Sequence, residues 1–131
     1  MLFRSSHLIG QWAVNNRRWA IRFVASGSGI SVAWWNGAVN GLAATLTYSS
    51  VISLNTWAHV AVTRSGSTVS IFVNGIGQST TSSTAVPADT STVIAIAQNT
   101  EGGNTWDYAG YISNLRVVNG TAIYKIGRAH V

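Results

Sequence analysis

The acidic side chains of this sequence are too few to suggest a catalytic site. Its 131 residues include three carboxylates, which are Asp89, Glu101 and Asp107. Hydrolysis of a glycosidic bond generally uses two carboxyl groups placed on either side of that bond. Glu101 and Asp107 could meet across the loop between them, but a glycine-rich loop is a poor support for a fixed geometry. The sequence shows no Gly-x-Ser-x-Gly motif and suggests no Ser-His-Asp set. We therefore expect no catalytic residues and no enzyme activity.

The loop that carries two of these acids also holds the candidates for a metal site. Calcium binds six to eight oxygen atoms, usually including several carboxylates. Glu101, Asn104 and Asp107 are weak calcium candidates within one short loop, and a solvated loop is the alternative. Cysteine is absent, which excludes disulfides and thiolate metal sites. His59 has no second histidine at metal-binding spacing, so we interpret it as a structural residue. We expect no metal ion and no cofactor.

Two adjacent tryptophans, Trp34 and Trp35, are the best candidates for ligand contact. Neighbouring residues of a strand point to opposite faces of a sheet, so the two cannot share one core. Alternation with the flanking apolar residues places Trp34 in the core and Trp35 on the reverse face, with Arg18 and Arg22 on its diagonals. A tryptophan on such a face can stack on a sugar ring or lie under an arginine cation. The alternative is a structural Trp35 that is covered by a loop or by a neighbouring subunit.

The hairpin that would position these residues follows from the same alternation. Residues 17–25 and 29–35 form two strands joined by Ser-Gly-Ser. The predicted facing pairs are Val24–Ser31, Phe23–Val32, Ile21–Trp34 and Ala25–Ile30, of which the last three make the apolar face. The reverse face then carries Trp35, Arg22 and Arg18, and we predict that these three residues bind the ligand.

A second hairpin is predicted from Trp57 to Gly75, where two alternating runs flank Ser65-Gly66. The predicted facing pairs are Val62–Val69, Val60–Ile71 and Ala58–Val73, which together make one buried apolar face. A one-residue slip would mix apolar and polar faces, so the register is predicted to be well specified. The other face carries His59 beside Phe72, and Trp57, which we interpret as a packing residue.

Two motifs in these runs resemble a known family. The pattern W-x-H-V-A-V-T-R at residues 57–64, followed by a turn and V-x-I-F-V-N-G, is similar to the laminin-G-like, concanavalin-A-like sandwiches. GYISNLRVVNGTAIY, at residues 110–124, resembles the closing strand of that family in the version common in phage tail and other virion proteins. The resemblance covers roughly Leu8 to Tyr124. It implies an all-β, two-sheet antiparallel jelly-roll sandwich.

The resemblance also bears on function. Glucanases of the concanavalin-A-like group carry their carboxylates on one strand as E-x-D-x-x-E, and this sequence has no such motif. The two motifs that are present hold the sandwich together and name no ligand. The resemblance therefore implies a non-catalytic carbohydrate- or receptor-binding module of a larger virion tail or surface protein, located on a virion or an extracellular surface. A purely structural spacer or oligomerisation module of a fibre is the alternative.

The rest of the chain is predicted to form short strands and polar turns, which are typical of a sandwich or barrel. No helical period persists over the length of a helix. The remaining strands are predicted at His7–Ala13, Ala43–Tyr48, Thr92–Ala97 and Ala109–Val118, and Gln78–Asp89 is predicted to be a loop with at most a short strand.

The ends of the sequence are predicted to be incomplete. Residues 1–125 form one laminin-G-like domain, with an early strand expected before His7 and a longer last strand expected after Lys125. Residues 126–131 read IGRAHV, which a widely used sequencing adapter encodes before a stop. We expect these six residues to lie outside the domain. A natural tail is the alternative. The chain is thus interpreted as a fragment of a longer, metagenomic reading frame.

Composition and charge exclude two classes of partner. Only 8% of the residues are charged, and the formal net charge is +5. The basic residues are scattered apart from Arg17, Arg18 and Arg22, whereas a nucleic-acid surface needs a dense basic stripe. No apolar run is long enough to span a membrane. We therefore expect no nucleic acid and no membrane insertion. The expected partners are a glycan or host-surface receptor and other virion or fibre subunits.

Overall fold

The computed structural model describes residues 6–12, 18–24, 29–35, 42–48, 52–53, 55–84, 93–98 and 107–123, with the backbone alone for 42–48. Its strands in these ranges are β1 (Ser6–Gln11), β2 (Trp19–Phe23), β3 (Ile30–Trp35), β4 (Leu42–Tyr48), β5 (Val60–Ser65), β6 (Thr68–Val73), β7 (Ile76–Ser82) and β8 (Ala95–Ile96). They form two antiparallel sheets, with the orders β4-β3-β2-β1-β8 and β5-β6-β7. The predicted all-β, two-sheet antiparallel sandwich is confirmed. Within the described ranges the chain forms no helix that could cross a membrane.

The main core lies between the two sheets. Its buried side chains come from β3 and β6, and they are Ile30, Val32, Trp34, Val69, Ile71 and Val73. Alternate residues of each strand face this core, as the period of two requires. Arg64 lies beside it, with the guanidinium carbon 5.8 Å from the centroid of the Trp34 ring. The Arg64 guanidinium also donates to the carbonyls of Gly66 at 3.2 Å and Ser83 at 3.4 Å.

The β5–β6 hairpin has the predicted faces but not the predicted pairs. The facing pairs are Val62–Ile71, Val60–Val73, Arg64–Val69 and Ser65–Thr68, so each residue of β5 meets a partner two positions from the predicted one. The turn is therefore Gly66-Ser67, in which Gly66 has a φ of 58°. Two-residue hairpin turns of one common type need a glycine with positive φ at their first central position. A shift of two residues leaves every side chain on its predicted face, so the apolar face is confirmed.

The β2–β3 hairpin differs from the prediction in the same way. The facing pairs are Trp19–Trp34, Ile21–Val32, Arg22–Ser31 and Phe23–Ile30 instead of those predicted. The amide of Val24 donates to the carbonyl of Gly29 at 3.0 Å, so the hairpin closes at this pair instead of at Ala25–Ile30. Faces are again preserved. Trp34 lies in the core between the sheets, as predicted, and Trp35 lies on the reverse face.

The other predicted strands are confirmed to different extents. β1 and β4 match the strands predicted at His7–Ala13 and Ala43–Tyr48 within the described residues. β8 is the part of Thr92–Ala97 that pairs with β1. β7 pairs along the whole of β6, so the predicted Gln78–Asp89 loop begins with a full strand.

The closing strand predicted at Ala109–Val118 is wrong, since residues 107–123 contain no strand. Asn114 has a φ of 53°, in the left-handed region, and this interrupts the extended run. The segment is rich in apolar residues, yet Tyr111, Leu115 and Val117 are all exposed. A run of exposed apolar side chains therefore lies on the surface after the last strand.

Candidate functional site

Trp35 packs against Trp12 on the outer side of the five-stranded sheet. The ring centroids are 4.2 Å apart, and the rings are nearly perpendicular at 89°. Edge-to-face contacts of this kind are favoured by the aromatic quadrupole. Ala20 and Ala33 complete this second buried cluster, since small side chains on β2 and β3 leave room for the two indoles. The sheet thus has buried side chains on both of its faces.

A row of polar side chains crosses the sheet beside the two indoles. His7 of β1 faces Arg22 of β2, and Arg22 faces Ser31 of β3. His7 and Ser31 are buried, and Arg22 is half-buried. The His7 ring meets Trp12 edge-on with centroids 5.0 Å apart, and the Arg22 guanidinium carbon lies 5.8 Å from the centroid of the Trp12 ring. A cation held at this distance from an indole face is attracted by the ring electrons.

Arg18 immediately precedes β2 and lies beside Gln11 at the end of β1. Its Nη1 donates to Oε1 of Gln11 at 3.1 Å, and the same oxygen accepts the indole N–H of Trp19 at 3.0 Å. The carbonyl of Arg18 accepts the amide of Trp35 at 2.7 Å. Trp35 and Arg22 therefore both contact Trp12 on the reverse face. Arg18 joins them through its backbone, whereas its guanidinium binds the Gln11 side chain that also contacts Trp19. The role of Trp35, Arg22 and Arg18 in binding stays a prediction.

Trp35 lies on the predicted reverse face, but its indole is covered, as the structural alternative for this residue describes. Its side chain is 5% exposed, because Trp12 lies against it on the outer face of the sheet. A sugar ring cannot stack on an indole that is this deeply buried. The indole of Trp35 therefore packs beneath the surface of this face. The half-buried arginines are more accessible to a ligand than Trp35 is.

The exposed indole of the described residues is Trp57, which the sequence interpretation assigned to packing. Its side chain is 70% exposed. It lies just before β5, next to the exposed His59, whose amide donates to Oδ1 of Asn74 at 2.9 Å. The amide of Asn74 donates in return to the carbonyl of His59 at 2.8 Å. The signal was available, since alternation places Trp57 on the side opposite the valine face.

The comparison with protein families agrees with this fold. A family model described as the Concanavalin A-like lectin/glucanases superfamily matches residues 4–122. The chain belongs to this superfamily. The resemblance inferred from the two sequence motifs is therefore confirmed at the level of the superfamily.

Among solved structures, the superfamily member described here is similar to an S-layer domain-containing protein from Clostridium thermocellum ATCC 27405. The two share 23% sequence identity with a TM-score of 0.42. The match covers 80% of this chain and 52% of the other, so the chain spans about half the length of that structure. A search of curated proteins finds no match.

The placement of the carboxylates bears on two predictions, the absence of a hydrolytic site and the candidate calcium site. Glu101 and Asn104 lie outside the described residues, and so does Asp89. Asp107 is described and exposed. Within the described ranges, no group of three histidines or acids is placed to hold a metal ion. The calcium candidates therefore stay a prediction.

Proposed function

We propose that this protein is a non-catalytic carbohydrate- or receptor-binding module of a larger virion tail or surface protein. The observation that supports it is the match of residues 4–122 to a superfamily of lectins and glucanases. The whole sequence contains three carboxylates. So small a number favours a lectin over a glucanase, because a glycoside hydrolase needs two carboxylates held at a fixed separation. A fold alone does not determine function, so the proposal depends on the surface side chains as well.

The proposed partners are a glycan or host-surface receptor and neighbouring virion or fibre subunits. Arg18 and Arg22 are half-buried and engaged with Gln11 and Trp12, which is unlike the exposed basic stripe that binds nucleic acid. Half-buried guanidinium groups can still donate hydrogen bonds to hydroxyl or carboxylate oxygens of a ligand at the surface. In this proposal Trp35 supports the face from below, and the arginines contact the ligand.

A glycan array tests the proposal directly. The whole chain is applied to an array of neutral and acidic oligosaccharides, and the retained sugars are then incubated with the protein to detect cleavage. We expect retention of at least one sugar class without hydrolysis. Retention with release of reducing ends would show an enzyme, and no retention on any sugar or host surface would contradict a binding function.

A structural spacer or oligomerisation module is the second candidate, and the exposed apolar segment after β8 favours it. Tyr111, Leu115 and Val117 are all exposed, and contiguous exposed apolar surface often marks a protein interface. Light scattering over a concentration series separates the two candidates. A stable oligomer that Leu115→Asp dissociates, combined with an empty glycan array, would favour the structural role.

A further inference from the structure

Among the tryptophans that the structure describes, Trp57 presents an open aromatic ring and the others are covered or half-buried. Trp12, Trp34 and Trp35 are buried, and Trp19 is half-buried. Trp57 alone among the described tryptophans is exposed, at 70%. An indole in water leaves a large flat apolar surface that gains free energy when a ligand covers it.

The backbone around Trp57 is held by specific contacts. Two hydrogen bonds join His59 to Asn74, one through the Asn74 side-chain oxygen and one through the Asn74 backbone N–H. The next residue pair, Val60–Val73, opens the β5–β6 ladder. Asn74 keeps a φ of 51°, a conformation that asparagine tolerates better than most residues. Trp57 thus lies two residues from His59, whose backbone is fixed to Asn74. A precise binding site requires side chains held by a rigid scaffold of this kind.

The polar residues next to Trp57 in the chain, and Asn74 bonded to His59, carry neutral donors and acceptors. Asn55, Thr56, His59 and Asn74 are all exposed. No acidic or basic residue occurs at positions 52–60 or 73–78 of the sequence, if histidine is counted as neutral. Amide, hydroxyl and imidazole groups can pair with sugar hydroxyls, which also donate and accept. A charged ligand would find no opposite charge among these residues.

We propose that the corner formed by residues 55–59 and Asn74 binds a neutral hexose, with Trp57 stacked on the C–H face of the pyranose ring. The proposal rests on the carbohydrate-binding function above and assigns it a site separate from the Trp35 region. Stacking removes apolar area of both rings from water, and the surrounding amides and imidazole hydrogen-bond the equatorial hydroxyls. The sugar class is neutral because the corner carries no formal charge.

The test compares Trp57→Ala and Trp57→Phe with Val93→Ala in the full chain. Val93 is the matched control, because it is 68% exposed, close to the 70% of Trp57, and precedes β8 of the other sheet. Affinity is measured for the neutral oligosaccharide that the wild-type protein retains best on the array. Trp57→Ala should weaken it about 10-fold or more, the scale of an aromatic contact at the centre of an interface. Trp57→Phe should retain part of the affinity, and Val93→Ala should leave it unchanged.

Iodide quenching gives a second readout that does not depend on affinity. Iodide reaches exposed indoles, so the neutral sugar should protect part of the wild-type emission from quenching. This protection should disappear in Trp57→Phe and persist in Val93→Ala.

Each outcome has a distinct meaning. Wild-type affinity in Trp57→Ala would overturn the Trp57 site and leave the binding function standing, whereas an empty array for the wild-type protein would overturn both. Retention of acidic sugars alone would contradict the neutral class. Unfolding of Trp57→Ala, or a change in its oligomeric state without a change in sugar affinity, would show that the indole is covered by protein instead.

Discussion

Trp34 and Trp35 are adjacent in sequence, and each is buried on a different side of β3. Replacement of either by alanine should therefore cost about 3–5 kcal/mol of unfolding free energy, the usual penalty for a large buried aromatic residue. Trp57→Ala is the control and should change stability by no more than about 0.5 kcal/mol, as exposed positions do. Urea unfolding monitored by circular dichroism measures all three. A wild-type midpoint for Trp35→Ala would mean that its indole is not packed.

Ile71 and Ser70 are also neighbours on opposite faces, but both are buried. Ile71 is in the core between the sheets, so Ile71→Ala should cost about 2–5 kcal/mol. The Ser70 hydroxyl lies 3.2 Å from the Thr80 hydroxyl of β7, and its loss should cost about 1 kcal/mol. The exposed Thr68→Ala should be nearly silent. Thermal melting ranks the three, and an Ile71→Ala protein as stable as Thr68→Ala would contradict the assignment of faces.

At the level of strands, β1 and β2 approach closely at Gly10. A Cβ placed there would lie 2.7 Å from the carbonyl oxygen of Trp19 and 3.0 Å from Cα of Ala20, which forces the backbone to move. Gly10→Ala should therefore destabilise the protein by about 1–3 kcal/mol, as overpacking does. Gly77 is the matched control, since its Cβ would meet the Phe72 ring at an ordinary 3.5 Å. Equal melting temperatures for the two variants would contradict this close approach.

The β5–β6 turn depends on Gly66. Its φ is 58°, and a Cβ there would meet no atom within 4 Å, so only the backbone conformation opposes a side chain. Gly66→Ala should cost about 1–2 kcal/mol, the strain of a left-handed conformation. Gly66→Asn should cost less, because asparagine visits this region more readily. Chemical denaturation of both variants checks the order, and an alanine variant as stable as the asparagine variant would contradict the turn.

Over the whole molecule, alternation predicted the faces of the strands more successfully than their partners. A shift of two residues keeps every side chain on its face, so the pattern alone could not distinguish a turn at Ser65-Gly66 from one at Gly66-Ser67. The positive φ of Gly66 decides between them.

Whether other side chains cover a residue is harder to predict than the face of the sheet on which that residue lies. The sequence placed Trp35 on the reverse face, but the ring that covers it is Trp12, which comes from a different strand region. The exposure of Trp57 was missed for a similar reason, because the family pattern suggests packing without naming a packing partner. The apolar residues of 109–118 formed a persuasive strand pattern, yet a left-handed Asn114 interrupts it. Local patterns do not specify such distant contacts.

The position of β3 has a consequence for which parts of the molecule unfold locally and which unfold only with the whole. All six of its residues are buried, clusters of side chains cover both of its faces, and it is hydrogen-bonded between β2 and β4. β5, by contrast, is a half-buried strand at the edge of its sheet. Amide protons of β3 should therefore exchange with deuterium only on global unfolding, and those of β5 through smaller local openings. Because Trp57 precedes a half-buried edge strand, substitutions there can alter ligand preference while the slowly exchanging centre keeps the fold intact.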